Sequence, residues 1–94
     1  MAREQYYMDR FKDKPWVYVM NSMKIIGWSI ERNDDRAKVL KIKNLRMVAL
    51  RMGRDRWKVE VFKNRRLVDG LGINSGTEAK ILMTQCGVLW GMSA

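Results

Sequence analysis

The middle of the sequence is rich in cationic side chains. Seven Lys or Arg residues and no acid lie between positions 36 and 54, and five more basic residues follow up to position 66. Each cation that neutralises a phosphate releases condensed counterions, so such a run favours binding to DNA or RNA. We predict nucleic-acid contacts by Lys38, Lys41, Lys43, Arg46, Arg51, Arg54, Arg56, Lys58, Lys63, Arg65 and Arg66.

Two features could add to these phosphate contacts. The segment Lys63-Asn64-Arg65-Arg66 is predicted to form a basic hairpin tip, a shape that can enter a groove or clamp a backbone. Trp16, Tyr18 and Trp28 could stack on unpaired bases if their strand face is open to solvent. The alternative for these three aromatic residues is that they belong to the hydrophobic core.

The sequence offers little material for catalysis. It contains no histidine and a single cysteine, which excludes Ser-His and Cys-His pairs and most zinc sites. Asp34-Asp35 is better explained as a helix start than as a metal-binding pair, and Gly70-Leu71-Gly72 as a kink at a strand end. We therefore predict a protein that is not an enzyme and uses no metal or other cofactor.

Length and composition indicate one small domain. The chain has 94 residues, is 47% hydrophobic and has a formal net charge of +9. We expect residues 1–14 to form an N-terminal arm or short helix and residues 15–94 to form a single α+β domain. The lone Cys86 and the absence of a long apolar run or a signal-peptide pattern favour a soluble cytoplasmic protein with no membrane partner.

The second half of the chain predicts a hairpin followed by a helix. Trp57, Val59 and Val61 alternate with charged residues, which is the period of a half-buried strand, and a polar break at Asn64 precedes another β-rich run. Ser75-x-x-Glu78 has the spacing of a capping box. The helix that follows is predicted to bury one stripe, namely Ala79, Leu82, Met83, Cys86, Leu89 and Trp90.

The first half of the chain is less clear. Residues 16–20 are aromatic or β-branched and predict a strand, with a turn at Asn21-Ser22 and a second strand over residues 23–30 with a bulge at Gly27. Residues 36–52 permit two interpretations. Asn33-Asp34-Asp35 and Gly53 suit the two ends of a helix, whereas the alternation of Leu40 and Ile42 with lysines suits a strand. We favour helix for at least part of the segment.

These elements together predict the fold class. The expected architecture is α+β, a two-layer β-β-α-β-β-α arrangement with an antiparallel four-stranded sheet and both helices on one face. A shift of 42 residues places Ala37-Lys38-Val39-Leu40 on Ala79-Lys80-Ile81-Leu82, which suggests that each half could repeat the same unit.

The functional prediction is a small, basic, non-enzymatic nucleic-acid-binding protein that contacts phosphates through its Lys/Arg stripe and basic hairpin. The alternative is a phage-type regulator or inhibitor that docks on an acidic surface of a host enzyme or polymerase, because Met and Trp suit adaptable contact surfaces. Ile81 and Val88 lie seven residues apart opposite the predicted core stripe, where they could form a homodimer contact.

Overall fold

The computed structural model describes residues 14–94 as a helix, five strands and a second helix. The predicted N-terminal arm therefore lies, apart from Lys14, outside the described residues. In chain order the elements are α1 (Trp16–Ile26), β1 (Ser29–Asn33), β2 (Ala37–Ile42), β3 (Leu45–Gly53), β4 (Arg56–Lys63), β5 (Arg66–Asn74) and α2 (Gly76–Ser93).

The five strands form one antiparallel sheet in the order β1-β2-β3-β4-β5, so every strand pairs with its neighbours in sequence. The predicted class, α+β with an antiparallel sheet, is confirmed. The predicted four-stranded β-β-α-β-β-α layout is wrong in its first half. There α1 replaces the expected first hairpin, and three strands follow it in place of the expected helix.

Residues 16–26 are helical although their composition favours a strand. Val19, Met20 and Met23 are completely buried, and this spacing matches one face of a helix rather than one face of a strand. The predicted turn at Asn21-Ser22 lies inside the helix, where the Ser22 hydroxyl donates to the carbonyl of Tyr18. Burial of a helical face has outweighed β-propensity here, as tertiary context often does.

Gly27 ends α1 instead of forming a strand bulge. Its φ of 128° lies outside the range that residues with a side chain readily adopt, and its N–H donates to the carbonyls of Met23 and Lys24. The chain then turns directly into β1. The glycine is therefore a helix stop.

Residues 36–52 form β2 and β3, so the helix favoured for this segment is wrong and the strand alternative is correct. Asp34 does not start a helix but closes the turn between β1 and β2, where its Oδ1 accepts from the backbone N–H of Arg36 and Ala37 at 2.8 and 2.9 Å. A hydrogen bond from Arg32, together with these two backbone donors, lowers the pKa of Asp34 to about 2. The first half of the chain thus does not repeat the second.

The hairpin, capping box and final helix predicted for the second half are confirmed. Lys63 pairs with Arg66 across the turn, and Ser75 Oγ accepts from the Glu78 N–H at 3.2 Å. Glu78 accepts in return from the backbone N–H of Ser75. These contacts satisfy amides that the first turn of a helix leaves without partners.

The predicted stripe of α2 is only partly the core face. Ala79, Met83 and Cys86 are buried, whereas Leu89 is 58% exposed. Ile81, which was placed on the opposite side, is only 5% exposed and belongs to the core cluster. The buried surface of α2 is wider than the predicted stripe because the helix packs against both the sheet and the neighbouring α1.

Both helices pack on the same face of the sheet and run in the same direction. The start of α1 lies beside the start of α2, where Lys80 Nζ is 5.9 Å from the ring centre of Trp16. Farther along, a Cβ on Gly87 would overlap the sulfur of Met23. Trp28, which precedes β1, donates its indole N–H to the Gly87 carbonyl of α2 at 2.9 Å and so connects the edge of the sheet to the two helices.

No helix among residues 14–94 is long and apolar enough to cross a membrane.

The opposite face of the sheet is not covered by any described element, and we call it the open face. Strand pairing and the two-residue alternation of side chains place three cross-strand rows there. In order from β2 to β5, the rows are Lys41, Arg46, Phe62 and Leu67; Val39, Val48, Glu60 and Gly70; and Ala37, Leu50, Lys58 and Ile73.

Candidate nucleic-acid interface

Two hairpin turns lie side by side at one end of the sheet. The β2–β3 turn contains Lys43 and Asn44, and the β4–β5 turn contains Asn64 and Arg65. The Asn44 side-chain amide donates to Asn64 Oδ1 at 3.2 Å, and the backbone N–H of Asn64 donates to the Asn44 carbonyl at 3.0 Å. These two bonds keep the turns together, so cations that are distant in sequence share one surface.

A concave site of about 480 Å³ lies at this end of the sheet. We call it the basic groove. It combines four cations, two amides, one aromatic ring and one leucine, and its lining contains no carboxylate. The lining residues are Lys41, Lys43, Asn44, Leu45, Arg46, Phe62, Asn64 and Arg65.

Three of the four cations in the groove are not neutralised by the rest of the described chain. Lys41, Lys43 and Arg65 are exposed and form no ion pair with any residue from 14 to 94. Arg46 pairs with Glu31 at 3.0 Å, but both side chains are more than a third exposed. Exposed pairs contribute only about 0–1 kcal/mol. Arg46 can therefore exchange this carboxylate for an anionic ligand at little cost.

Backbone geometry places two of the cations at the tips of the turns. Lys43 has a φ of 52°, and Asn64 and Arg65 have φ values of 52° and 68°. A two-residue hairpin turn with positive φ at both central positions matches the twist of the sheet. Asparagine adopts this conformation readily, but arginine does so at a cost. Glycine would relieve that cost at Arg65 but would remove its charge.

The predicted basic stripe is divided by the fold. Lys63 and Arg66 flank the β4–β5 turn beside the basic groove, and Lys58 lies on the open face with its Nζ 3.5 Å from the Glu60 carboxylate. The remaining predicted cations are Lys38, Arg51, Arg54 and Arg56, of which Arg54 lies in the β3–β4 turn at the other end of the sheet.

A second cavity of about 300 Å³ lies near that other end, on the helix side of the sheet. The rings of Trp16 and Trp57 contact each other in this cavity in a tilted arrangement, with ring centres 4.9 Å apart. Its lining carries both signs of charge, because it contains cations and two carboxylates. We call it the tryptophan pocket, and it is lined by Trp16, Asp35, Lys38, Arg51, Arg54, Asp55, Trp57, Gly76, Thr77 and Lys80.

The tryptophan pocket is held together by internal contacts. Lys38 is only 8% exposed, donates to Asn33 Oδ1 at 2.8 Å and lies 5.7 Å from the ring centre of Trp16. Burial lowers the pKa of this lysine. Asp55 accepts from the Gly76 N–H at 2.9 Å, which occupies the first amide of α2. Lys38 therefore has a structural role rather than the predicted place on an exposed basic stripe.

None of the three predicted stacking residues lies on the open face. Trp28 is 2% exposed and belongs to the core, so it cannot stack on a base. Trp16 and Tyr18 are half-buried on α1, and Lys14 Nζ lies 5.1 Å from the Tyr18 ring centre. The core alternative is correct for Trp28, and the other two rings face away from the basic groove.

Phe62, which was not among the residues predicted from the sequence, is the aromatic residue that lines the basic groove. A signal for it existed: if Trp57, Val59 and Val61 face the core, then Phe62 follows Lys58 and Glu60 on the other face. A large aromatic residue in an otherwise charged series is unexpected there. Asn44 was also missed, because its role depends on the neighbouring hairpin.

Among the described residues, no group of three or more Cys, Asp and Glu side chains could hold a metal ion. Burial, and then the neighbouring Asp69 carboxylate, raises the pKa of the Cys86 thiol to about 12. This thiol is therefore protonated at neutral pH and is not a nucleophile.

Comparisons with models of protein families, with curated proteins and with solved structures gave no match for this chain.

Proposed function

We propose that this protein binds nucleic acid through the basic groove. The observation that supports this proposal is the lining of the groove, which combines four cations with no carboxylate. Three of these cations have no ion-pair partner among the described residues. A polyanion would supply the missing negative charge, and each phosphate contact would release counterions from the nucleic acid.

The distribution of acids supports the same proposal. Residues 14–94 contain sixteen Lys or Arg residues and seven Asp or Glu residues. Most of these acids have a structural partner: Asp34, Asp55 and Glu78 accept backbone N–H groups, Glu31 and Glu60 pair with cations, and Asp69 accepts from the Trp90 indole. The excess positive charge is therefore available at the surface.

The proposal is tested by fluorescence anisotropy with a labelled single strand and a duplex of equal length. With about four phosphate contacts, affinity should fall roughly a hundredfold between 50 and 200 mM salt. Replacing Lys43 and Arg65 together with Gln should lower the slope of log affinity against log salt by about 1.5 to 2.

A matched double variant separates the groove from net charge. Lys24 and Arg36 are exposed and lie outside the basic groove, on α1 and in the β1–β2 turn. Replacing both with Gln removes the same charge and should change the slope much less than the groove variant does. Equal effects of the two variants would refute the groove as the site, and no binding at 50 mM salt would refute the function.

A protein partner is the second candidate, and a different part of the open face favours it. Leu50, Met52 and Ile73 are 38, 52 and 50% exposed toward the end of the sheet that is distant from the basic groove. An acidic protein with an apolar patch would complement both ends of this face. This candidate predicts no nucleic-acid binding at 150 mM salt and a stoichiometric protein complex that survives nuclease treatment.

A further inference from the structure

We infer that the basic groove selects an unpaired nucleic-acid strand and stacks one base on Phe62. This inference rests on the proposed function and specifies its ligand. It follows from the width of the site, from the position of the only described aromatic residue on the open face, and from the size of the groove.

The width of the site argues against insertion into a duplex groove. The two turns are held side by side, so the edge they present is four strands wide, from β2 to β5. Adjacent strands are about 4.8 Å apart, which gives about 14 Å between the outer backbones before side chains are counted. The major groove of B-DNA is about 12 Å wide and admits one helix or a two-stranded ribbon. Both described helices lie on the other side of the sheet.

Phe62 lies in the same cross-strand row as two cations of the groove. Lys41 pairs with Arg46, Arg46 with Phe62, and Phe62 with Leu67 on neighbouring strands. The Phe62 ring is partly exposed and lines the groove. A base that stacks on an aromatic side chain contributes about 1–3 kcal/mol, and the base must be free of its neighbours in a duplex.

The cations and the size of the groove suit the phosphate backbone of the strand whose base stacks on Phe62. Lys41 lies two strands from Phe62, a distance of about 10 Å across the sheet. A volume of about 480 Å³ is in the range of sites that hold one small ligand, so the groove holds one or two nucleotides. Lys63 and Arg66 pair in the row next to Phe62 and Leu67, so their side chains leave the sheet on the helix side and are not part of this contact.

The first test uses the unmodified protein. Affinity is measured at one salt concentration for four labelled ligands: a single strand, a strand of the same length made of abasic sites, a DNA duplex and an RNA duplex of that length. The abasic strand has the same phosphates but no bases. The single strand should bind roughly fivefold or more tightly than the abasic strand, because one stacked base is lost.

The second test changes the ring. Phe62→Leu keeps an apolar side chain, whereas Phe62→Tyr keeps the aromatic ring. The leucine variant should lose roughly five- to a hundredfold in affinity for the single strand, and the tyrosine variant should lose little. Neither variant should change the affinity for the abasic strand. Thermal unfolding of each variant checks that the fold is retained.

The outcomes separate this inference from the proposed function. If duplexes bind as tightly as the single strand, or if abasic and normal strands bind equally, base stacking is refuted while phosphate binding stands. If no ligand binds at 50 mM salt, the proposed function itself fails. Binding of the single strand that survives Phe62→Leu unchanged would also refute the role of Phe62.

Discussion

The α1–α2 contact at Gly87 depends on the absence of a side chain. A Cβ at this position would overlap the sulfur of Met23 and would lie 3.2 Å from the Met47 methyl group, so sheet and both helices meet there. A glycine inside a helix costs about 1 kcal/mol relative to alanine. That cost is offset by the close approach of the two helices and by the Trp28 hydrogen bond to the Gly87 carbonyl.

We therefore predict that Gly87→Ala destabilises the protein although alanine is the better helix former. Overpacking of a buried site costs about 1–3 kcal/mol, and urea denaturation would measure the loss. Gly91→Ala is the milder control, because its Cβ would lie 3.0 Å from an Ile26 methyl group and from the Trp28 indole nitrogen, so these neighbours need to move by only a few tenths of an ångström. The control should lose less. A Gly87→Ala variant as stable as the wild type would show that the helices separate easily.

Among residues that could act on a ligand, Phe62 and Trp28 illustrate opposite errors of sequence interpretation. Trp28 has the residue type suited to stacking, but it is buried and its indole is used by the Gly87 carbonyl. Phe62 follows the charged residues Lys58 and Glu60 on one side of its strand and lies beside Arg46 on the open face. The residue type indicates which interactions a side chain could make with a ligand. The side of the sheet on which the side chain lies decides whether a ligand can reach it.

At the scale of elements, the conformation of the β4–β5 turn is unfavourable for one of the residues that occupy it. Its turn holds Arg65 at a φ of 68°, which glycine would adopt without strain. The arginine nevertheless lines the basic groove. A residue that is unfavourable for the turn and favourable for an anionic ligand is expected where function limits stability.

We predict that Arg65→Gly raises stability by about 1 kcal/mol and weakens nucleic-acid binding. Arg66→Gly is the matched control, because it removes the same charge from a strand position that pairs with Lys63. Glycine within a strand costs about 0.5–1 kcal/mol, so this variant should lose both stability and affinity. Chemical denaturation and anisotropy measure the two properties. Loss of stability in Arg65→Gly would contradict the argument about the turn.

The elements of the second half were predictable because their signals are local. A capping box, a two-residue turn and a strict alternation each depend on residues within a few positions of one another. In the first half, residues 16–20 satisfy the composition of a strand and the spacing of a helical face at the same time. Contact with α2 and the sheet decides between them, and that contact involves residues about sixty positions away.

At the scale of the whole molecule, acidic and basic side chains occupy different kinds of position in the fold. Acids are used for turns, caps and surface pairs, whereas four cations line the basic groove at the hairpin end with no carboxylate among them. The two helices cover the opposite face. A sheet with one uncovered face and a basic end is suited to a long, negatively charged ligand.

Because the chain contains no histidine, we predict that binding is insensitive to pH near neutrality. Histidine is the side chain whose charge ordinarily changes between pH 5 and 8, so its absence removes the usual source of pH dependence between pH 5.5 and 7. At fixed salt, the affinity for an oligothymidine strand should change by less than about twofold across this range. Anisotropy titrations measure it. A larger change would contradict this prediction.

The tertiary structure also bears on the homodimer contact predicted through Ile81 and Val88. Ile81 lies in the core of the single chain and cannot meet a second copy without unfolding, whereas Val88 is half-buried. The exposed apolar side chains of α2 are instead Leu89 and Met92, at its C-terminal end. Any contact between copies through α2 would have to use that end.

The sequence by itself determined the class of the fold, the second hairpin, the cap of α2 and the excess of positive charge. These depend on composition and on neighbours along the chain. Only the tertiary structure decided that residues 16–26 are helical, that residues 36–52 are strands, and that Lys38 is buried while Lys41, Lys43, Arg46 and Arg65 surround one groove. The physical reason is that burial and strand pairing join distant segments, and local propensities of about 1 kcal/mol or less yield to them.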